Sequence, residues 1–473
     1  MKARKLPPAL FLVAMTLLAC TSTSESPPTY DLEIACADDV AAIYADPGAL
    51  TAPKGTVLHC AKDNAIPKAD LEARARAADG YAGPAFTSGA KVFRVLYRTE
   101  RGNGRPGAGA ALVFVPDTPR ARSLPVIVAS RGSRGQAAKC APSLQDPAGD
   151  YVRSDFEHQV FPLVGAGYVV IAPDLAGYAN FGATGNPPSG YADVPDVGRS
   201  TLDAARALKS MFKTTLADRV VLVGHSQGGA TALGALATAE SYGFEMDIAG
   251  VAVYAPLWLP GRTNQAILYS DPKVSEGAIP KVSLWYMYTK AELYDGPGQG
   301  ALLFKPEVRD GIAKFVNDTC WSASYPDLEK LGTKLSDLYD AAFLKSVATI
   351  DACKDETCNK WLPRFRADRP TMTGKALNVP IVTFYGSKDT TLEPSYMACA
   401  LKKLSEDGTK NRVCVGQDQT HASIVARNAA YVNDWIANLT LSGAAPAGCA
   451  ESALNDENGQ SVSCNILVTA VGE

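Results

Sequence analysis

The stretch VVLVGHSQGGATAL, from Val220 to Leu233, constrains this chain more than any other. Four apolar, mostly β-branched residues read as a strand buried on both faces. The run of Gly, Ala and Leu that follows reads as a helix packed closely against its neighbours. Only Gly224-His225-Ser226-Gln227-Gly228 lies between them. A strand that becomes a helix in so few residues must pass close to itself. The positions two before and two after Ser226 therefore have to be small, and both are glycine.

The same alternation recurs along the chain. Residues 91–100 and 109–116 read as strands joined by RGNGRPG. Short β-branched runs at 124–132, 168–174, 218–224, 247–256, 378–389 and 410–417 suit strands covered on both sides. Residues 199–212, 228–242 and 422–439 carry helical spacing of apolar residues. Alternating strands and helices predict a mainly parallel sheet with helices on both faces, an α/β class of fold. Residues 257–375 interrupt that pattern with helical, aromatic, cysteine-bearing sequence and read as a cap. The expected organisation is a core of 91–256 and 376–440, the cap, an irregular, partly helical lead-in over 31–90, and a disulfide-bearing tail over 441–473 that forms a small hairpin. Hydrophobic residues make up 47% of the 473, enough for a large core, and the net charge is −3 with no basic run. Nucleic acid is not an expected partner.

Gly-x-Ser-x-Gly between a strand and a helix is the setting of a nucleophile elbow, with Ser226 presented at the carboxyl end of the sheet. A serine needs a base, commonly a histidine held by a carboxylate, and in this architecture the chain order is Ser, acid, His. The four histidines are His59, His158, His225 and His421. Only His421 follows Ser226 with room for an acid between them, and His225 is expected to point elsewhere. Asp389, five residues past Phe384 on a Gly-Ser turn, is the expected acid, with Glu393 second. Asp418 lies too near His421 and is expected to solvate the loop. The oxyanion donors are expected to be the backbone N–H of Gln227 and one from the loop Arg131–Gly135, either Ser133 or Arg134. No pair of Cys-x-x-Cys or histidine motifs points to a metal, and no cofactor is expected.

The N-terminus reads as a targeting segment. MKARK is a positive n-region, and ALFLVAMTLLA is an apolar run too short to span a bilayer comfortably. It ends in LLAC, which resembles a bacterial lipobox. Cys20 is then the expected lipidation site, closing a signal peptide of residues 1–20, with 21–30 as a flexible tether. Thr21 favours an outer-membrane anchor, so the expected location is the outer membrane or cell surface, otherwise secretion. Of 11 cysteines, removing Cys20 leaves an even number in an exported chain, which reads as disulfides. The oligomeric state stays open.

Six segments, SRGSRGQAAKCAPS, VVIAPDLAGY, LDAARAL, GHSQGGATAL, FYGSKDTTLEP and THAS, occur in family order and resemble the secretory lipase family, lipase A type, of the α/β hydrolases. The resemblance covers about 90–440. One departure stands out: Arg131 occupies the place where that family usually has His. The resemblance implies an α/β-hydrolase fold with the cap inserted before the strand carrying the acid. It implies a serine hydrolase of carboxylic esters acting on acylglycerols, with an ester or lipid substrate and no cofactor, and a Cys140–Cys320 disulfide tying core to cap. The remaining pairs are then expected to be local: Cys36–Cys60, Cys353–Cys358, Cys399–Cys414 and Cys449–Cys464. Trp258, Trp285, Trp321 and Trp361 suggest a cap that favours apolar acyl groups. The competing readings are a peptidase or aminoacyl hydrolase on the same fold, and a non-enzymatic surface lipoprotein.

Overall fold

The computed structural model describes residues 29–145, 156–178, 187–212, 215–322, 324–348, 353 and 355–451. Cys20, Cys464 and the end of the tail lie outside them. The described residues contain a nine-stranded sheet in the order β1-β2-β3-β5-β4-β6-β7-β8-β9. The strands are β1 Val57–Lys62, β2 Ala90–Glu100, β3 Pro106–Pro116, β4 Leu124–Ser130, β5 Val170–Ala176, β6 Leu216–His225, β7 Asp247–Tyr254, β8 Ile381–Gly386 and β9 Asn411–Gly416. From β1 to β5 neighbours run antiparallel. From β5 through β4 to β9 they run parallel. Every residue of β4 and β5 is buried, as their mostly apolar sequences require, Asp174 and Ser130 included.

The chain leaves β4 toward β5 on one side and leaves β6 toward β7 on the other. The crevice between the carboxyl ends of β4 and β6 is therefore the topological switch point, where open α/β sheets bind ligands. The loop after β4 and the turn at Ser226 both open there.

Three expectations need correction. The lead-in contributes β1, which pairs with β2 and is tied by Cys36–Cys60 to the segment before it. Its first three residues are half buried, Cys60 and Ala61 are buried and Lys62 is exposed, so they show no clean alternation. The helix expected over 422–439 is two, Ser423–Arg427 and Ala429–Leu441. Between them the Asn428 side chain donates to Ile424 O (2.7 Å) and Gln419 Oε1 (2.9 Å), competing with continued helix. The expected Cys399–Cys414 and Cys449–Cys464 pairs do not form: Cys414 pairs with Cys449, and Val415 N donates to Ala450 O (2.9 Å), so the described start of the tail runs beside β9. Cys353 pairs with Cys358 and Cys140 with Cys320.

Between β7 and β8 lies an insert that includes the helices Gly261–Ser270, Ile279–Asp295, Arg309–Asp318 and Glu356–Ala367. It has its own aromatic core, with Trp285 stacked on Phe315 at 5.6 Å and Trp361 edge-on to Phe343 at 5.4 Å. It meets the sheet domain through a buried ionic cluster. Lys290 bonds Asp193 and Asp368, the latter at 2.7 Å. Asp193 caps the helix Val194–Met211 by accepting from Asp196 N, and Asp368 accepts from Val194 N (3.0 Å). Tyr286 also donates to Asp368.

Candidate active site

Ser226 is the last residue before the helix Gln227–Thr238, with φ 55° and ψ −119°. This is the left-handed half of backbone space, which costs a side-chain-bearing residue about 1–3 kcal/mol. The surroundings hold it there. Ser226 N donates to Tyr254 O (2.9 Å), and Ser226 O accepts from Gly229 N (2.9 Å) and Leu257 N (2.9 Å). The two glycines are forced by contact. A Cβ on Gly224 would sit 2.0 Å from Gly228 O, and one on Gly228 would sit 2.0 Å from Ser130 O at the end of β4.

His421 lies between β9 and the helix Ser423–Arg427. Its Nδ1 is 2.7 Å from Asp389 Oδ2. The Asp389 carboxylate is buried just beyond β8, and its Oδ1 accepts from Thr391 N and Leu392 N, both at 2.9 Å. With Nδ1–H given to the carboxylate, Nε2 is left as the basic nitrogen. Ser226 and His421 border one cavity of about 260 Å³. Among the described residues no hydrogen bond closes Ser226 Oγ onto His421; such bonds often tighten only with substrate. Glu393 precedes the helix Pro394–Glu406 and makes no capping bond with its side chain. Asp418 is exposed and pairs with Lys388 at 2.7 Å. His59 sits on β1 against Asp38 (3.3 Å), and His158 lies in the turn Phe156–Val160.

His225 does not point away. Its Nε2 is 2.8 Å from the backbone oxygen of His421, and the two rings are 4.6 Å apart. Burial first, then the neighbouring His421, push its pKa well below the ordinary 6.5. A neutral His225 donates Nε2–H to that carbonyl and braces the loop carrying the other histidine. The only hint in the sequence is its position beside Ser226, which says nothing about a partner 196 positions away.

Gln227 opens its helix, so its N–H belongs to the first turn, where backbone donors lack helical partners. Gly132, Ser133 and Arg134 border the cavity from the other side. Ser133 Oγ shares a 2.7 Å hydrogen bond with Tyr191 OH, and Arg134 O accepts from Trp321 N (2.9 Å). The structure brings both expected loop donors to the cavity without choosing between them. Gly135 bridges to Cys320, whose sulfur is bonded to Cys140, so this loop is fastened to the insert. Tyr191, Leu257, Val282, Trp321 and Leu392 supply most of the apolar wall. Among the described residues no group of three or more His, Cys, Asp or Glu side chains is placed to hold a metal ion.

A strained serine in Gly-x-Ser-x-Gly at the switch point, facing a carboxylate-bound histidine, defines a class. The sequence matches the alpha/beta hydrolase family model over residues 146–387, and the chain belongs to that family. Its structure is similar to that of the rice cell wall degrading esterase LipA from Xanthomonas oryzae. The TM-score is 0.61 at 15% identity, covering 83% of this chain and 99% of that one. It is also similar to Candida antarctica lipase A in its closed state, with TM-score 0.60 at 17% identity over 91% and 94% of the two chains. At these identities the likeness is one of fold. No curated protein sequence matches.

Proposed function

We propose that this protein hydrolyses carboxylic esters through a Ser226-His421-Asp389 triad and an acyl-enzyme. His421 Nε2 takes the Oγ proton as Ser226 Oγ bonds to the ester carbonyl carbon. The oxygen that becomes negative is met by N–H groups of Gln227 and the 132–134 loop. The tetrahedral adduct collapses, His421 passes its proton to the departing alkoxide, and the same pair then delivers water to the acyl-serine. Asp389 holds the imidazole tautomer and stabilises the imidazolium. The observation that carries this reading is the 2.7 Å His421 Nδ1–Asp389 Oδ2 contact beside a serine held in the elbow conformation. The esterase and lipase among its structural neighbours add support.

The insert acts in this reading as a cap that shapes the acyl site. Acylglycerols are the narrower reading, favoured by the apolar side chains of Leu257, Val282 and Trp321 around the serine. The N-terminal lipobox supports export and anchoring to the outer membrane through Cys20. The test is a fluorophosphonate label, with peptide mapping, on protein assayed against ester and peptide panels. Labelling of Ser226 with ester turnover and no peptide cleavage is expected. Absence of label would discard the enzyme reading, and peptide turnover alone would move it to a peptidase. Metabolic labelling with palmitate should mark the full chain and spare Cys20→Ser.

A further inference from the structure

Arg131, where this chain departs from its resemblance, is buried at the end of β4 with 6% exposure. A buried guanidinium is costly unless its donors are used. Nη1 donates to Gly132 O at 2.9 Å and lies 3.5 Å from Gln227 Oε1. Nη2 donates to Asp174 O at 3.1 Å, and the guanidinium carbon sits 4.4 Å from the centroid of the Tyr178 ring. Tyr178 OH in turn donates to Gly135 O (2.5 Å). One cation thus touches the first residue of the cavity-lining loop, the ring that holds the last, and the side chain of the residue after the nucleophile. The backbones meet here too: a Cβ on Gly228 would come 2.6 Å from Arg131 O.

We propose, resting on the ester-hydrolase reading, that Arg131 is the positioning residue of the oxyanion site. Its planar fork sets Gly132–Gly135 and Gln227 in one frame, so that donors from the two sides of the cavity converge where the oxyanion forms. Arg131 does not border the cavity itself; it acts through the loop and through Gln227. A lysine keeps the charge but cannot bridge several acceptors in one plane.

The test compares wild type with Arg131→Met and Arg131→Lys in two measurements: turnover of p-nitrophenyl butyrate, and the Kd of n-butylboronic acid, which forms a tetrahedral adduct on the serine. For Arg131→Met, kcat should fall about 100-fold with KM within about twofold, and the boronate Kd should weaken in step, because only the charged tetrahedral state needs the converged donors. Arg131→Lys should fall between the two. The acid limb of the pH profile should not move, since the His421–Asp389 pair is untouched. A folded Arg131→Met with kcat within about threefold of wild type, or a loss confined to KM, overturns the proposal. If Arg131→Met fails to fold, Arg131→Lys and Gln227→Met decide by the same criteria. If wild type turns over no ester yet binds the boronate, the ester reading fails and Arg131 is judged on boronate affinity alone. If wild type does neither, both fall.

Discussion

The sheet and the insert solve opposite problems. The carboxyl edge of the sheet holds Ser226, His421 and Asp389 on turns fixed by backbone contacts: two glycines in forced approach, and main-chain bonds from Tyr254 and Leu257. Little there can move without breaking a strand. The insert is built from side chains packed on side chains around Trp285 and Trp361. It meets the sheet domain through the buried Lys290–Asp193–Asp368 cluster, the Cys140–Cys320 disulfide and apolar contact with Tyr191 and Leu392, not through strands of the sheet. In the proposed reading, chemistry sits on the part that cannot yield, and substrate choice on a part whose attachment includes a buried ionic cluster.

The largest effect that would break this contrast belongs to the sheet edge. Ser226→Ala and His421→Ala should each lower kcat about 10⁶-fold, and the double variant should be no worse. Both should melt near the wild-type temperature in a calorimetric scan. Asp389→Asn should lower kcat about 10⁴-fold through loss of the correct tautomer, while Glu393→Gln leaves it unchanged. The reverse ranking would move the acid to Glu393.

The attachment of the insert should respond to pH. One ammonium, Lys290, serves two buried carboxylates, and burial pushes the Asp368 pKa up from 3.8 to about 7. A group protonated in the folded state and ionised in the unfolded one stabilises most at low pH. Its contribution is full below about pH 4 and is lost as pH rises through about 7. Urea midpoints should therefore decline from pH 5 to pH 8 in wild type by more than in Asp368→Asn. Equal slopes in the two proteins would remove the ionic cluster as the joint.

The smallest effect concerns the cavity. Each added CH₂ that finds room should raise kcat/KM by about fourfold, from about 0.8 kcal/mol of burial. The rise should stop early, because the space beside Ser226 is only about 260 Å³. A p-nitrophenyl series from acetate to palmitate reads this directly. A continued climb to palmitate, with turnover of a triglyceride emulsion, would show the insert opening further and favour the acylglycerol reading.

The same contrast explains what sequence could tell. The elbow was legible because its constraint is local: apolar strand, small neighbours, helix. Asp389 and His421 followed from chain order and from the scarcity of histidines. What escaped depends on distant partners. Lys290 and Asp193 look like surface charges until the fold buries them together, 97 positions apart. His225 gained its role from the His421 carbonyl. The pairing of Cys414 with Cys449 rather than with Cys399 reflects where the tail runs beside β9, and spacing alone carries no such information. β1 was missed because an edge strand with mixed exposure leaves no period to detect.

The backbone at Ser226 has one more consequence. Its φ of 55° suits glycine better than serine, so the residue the proposed chemistry requires is one the fold would not choose. Replacing it with glycine should relieve strain and raise the melting temperature even as turnover disappears. A selection for thermal tolerance alone would then erode this protein at its centre first, and ester turnover has to be part of any screen meant to harden it.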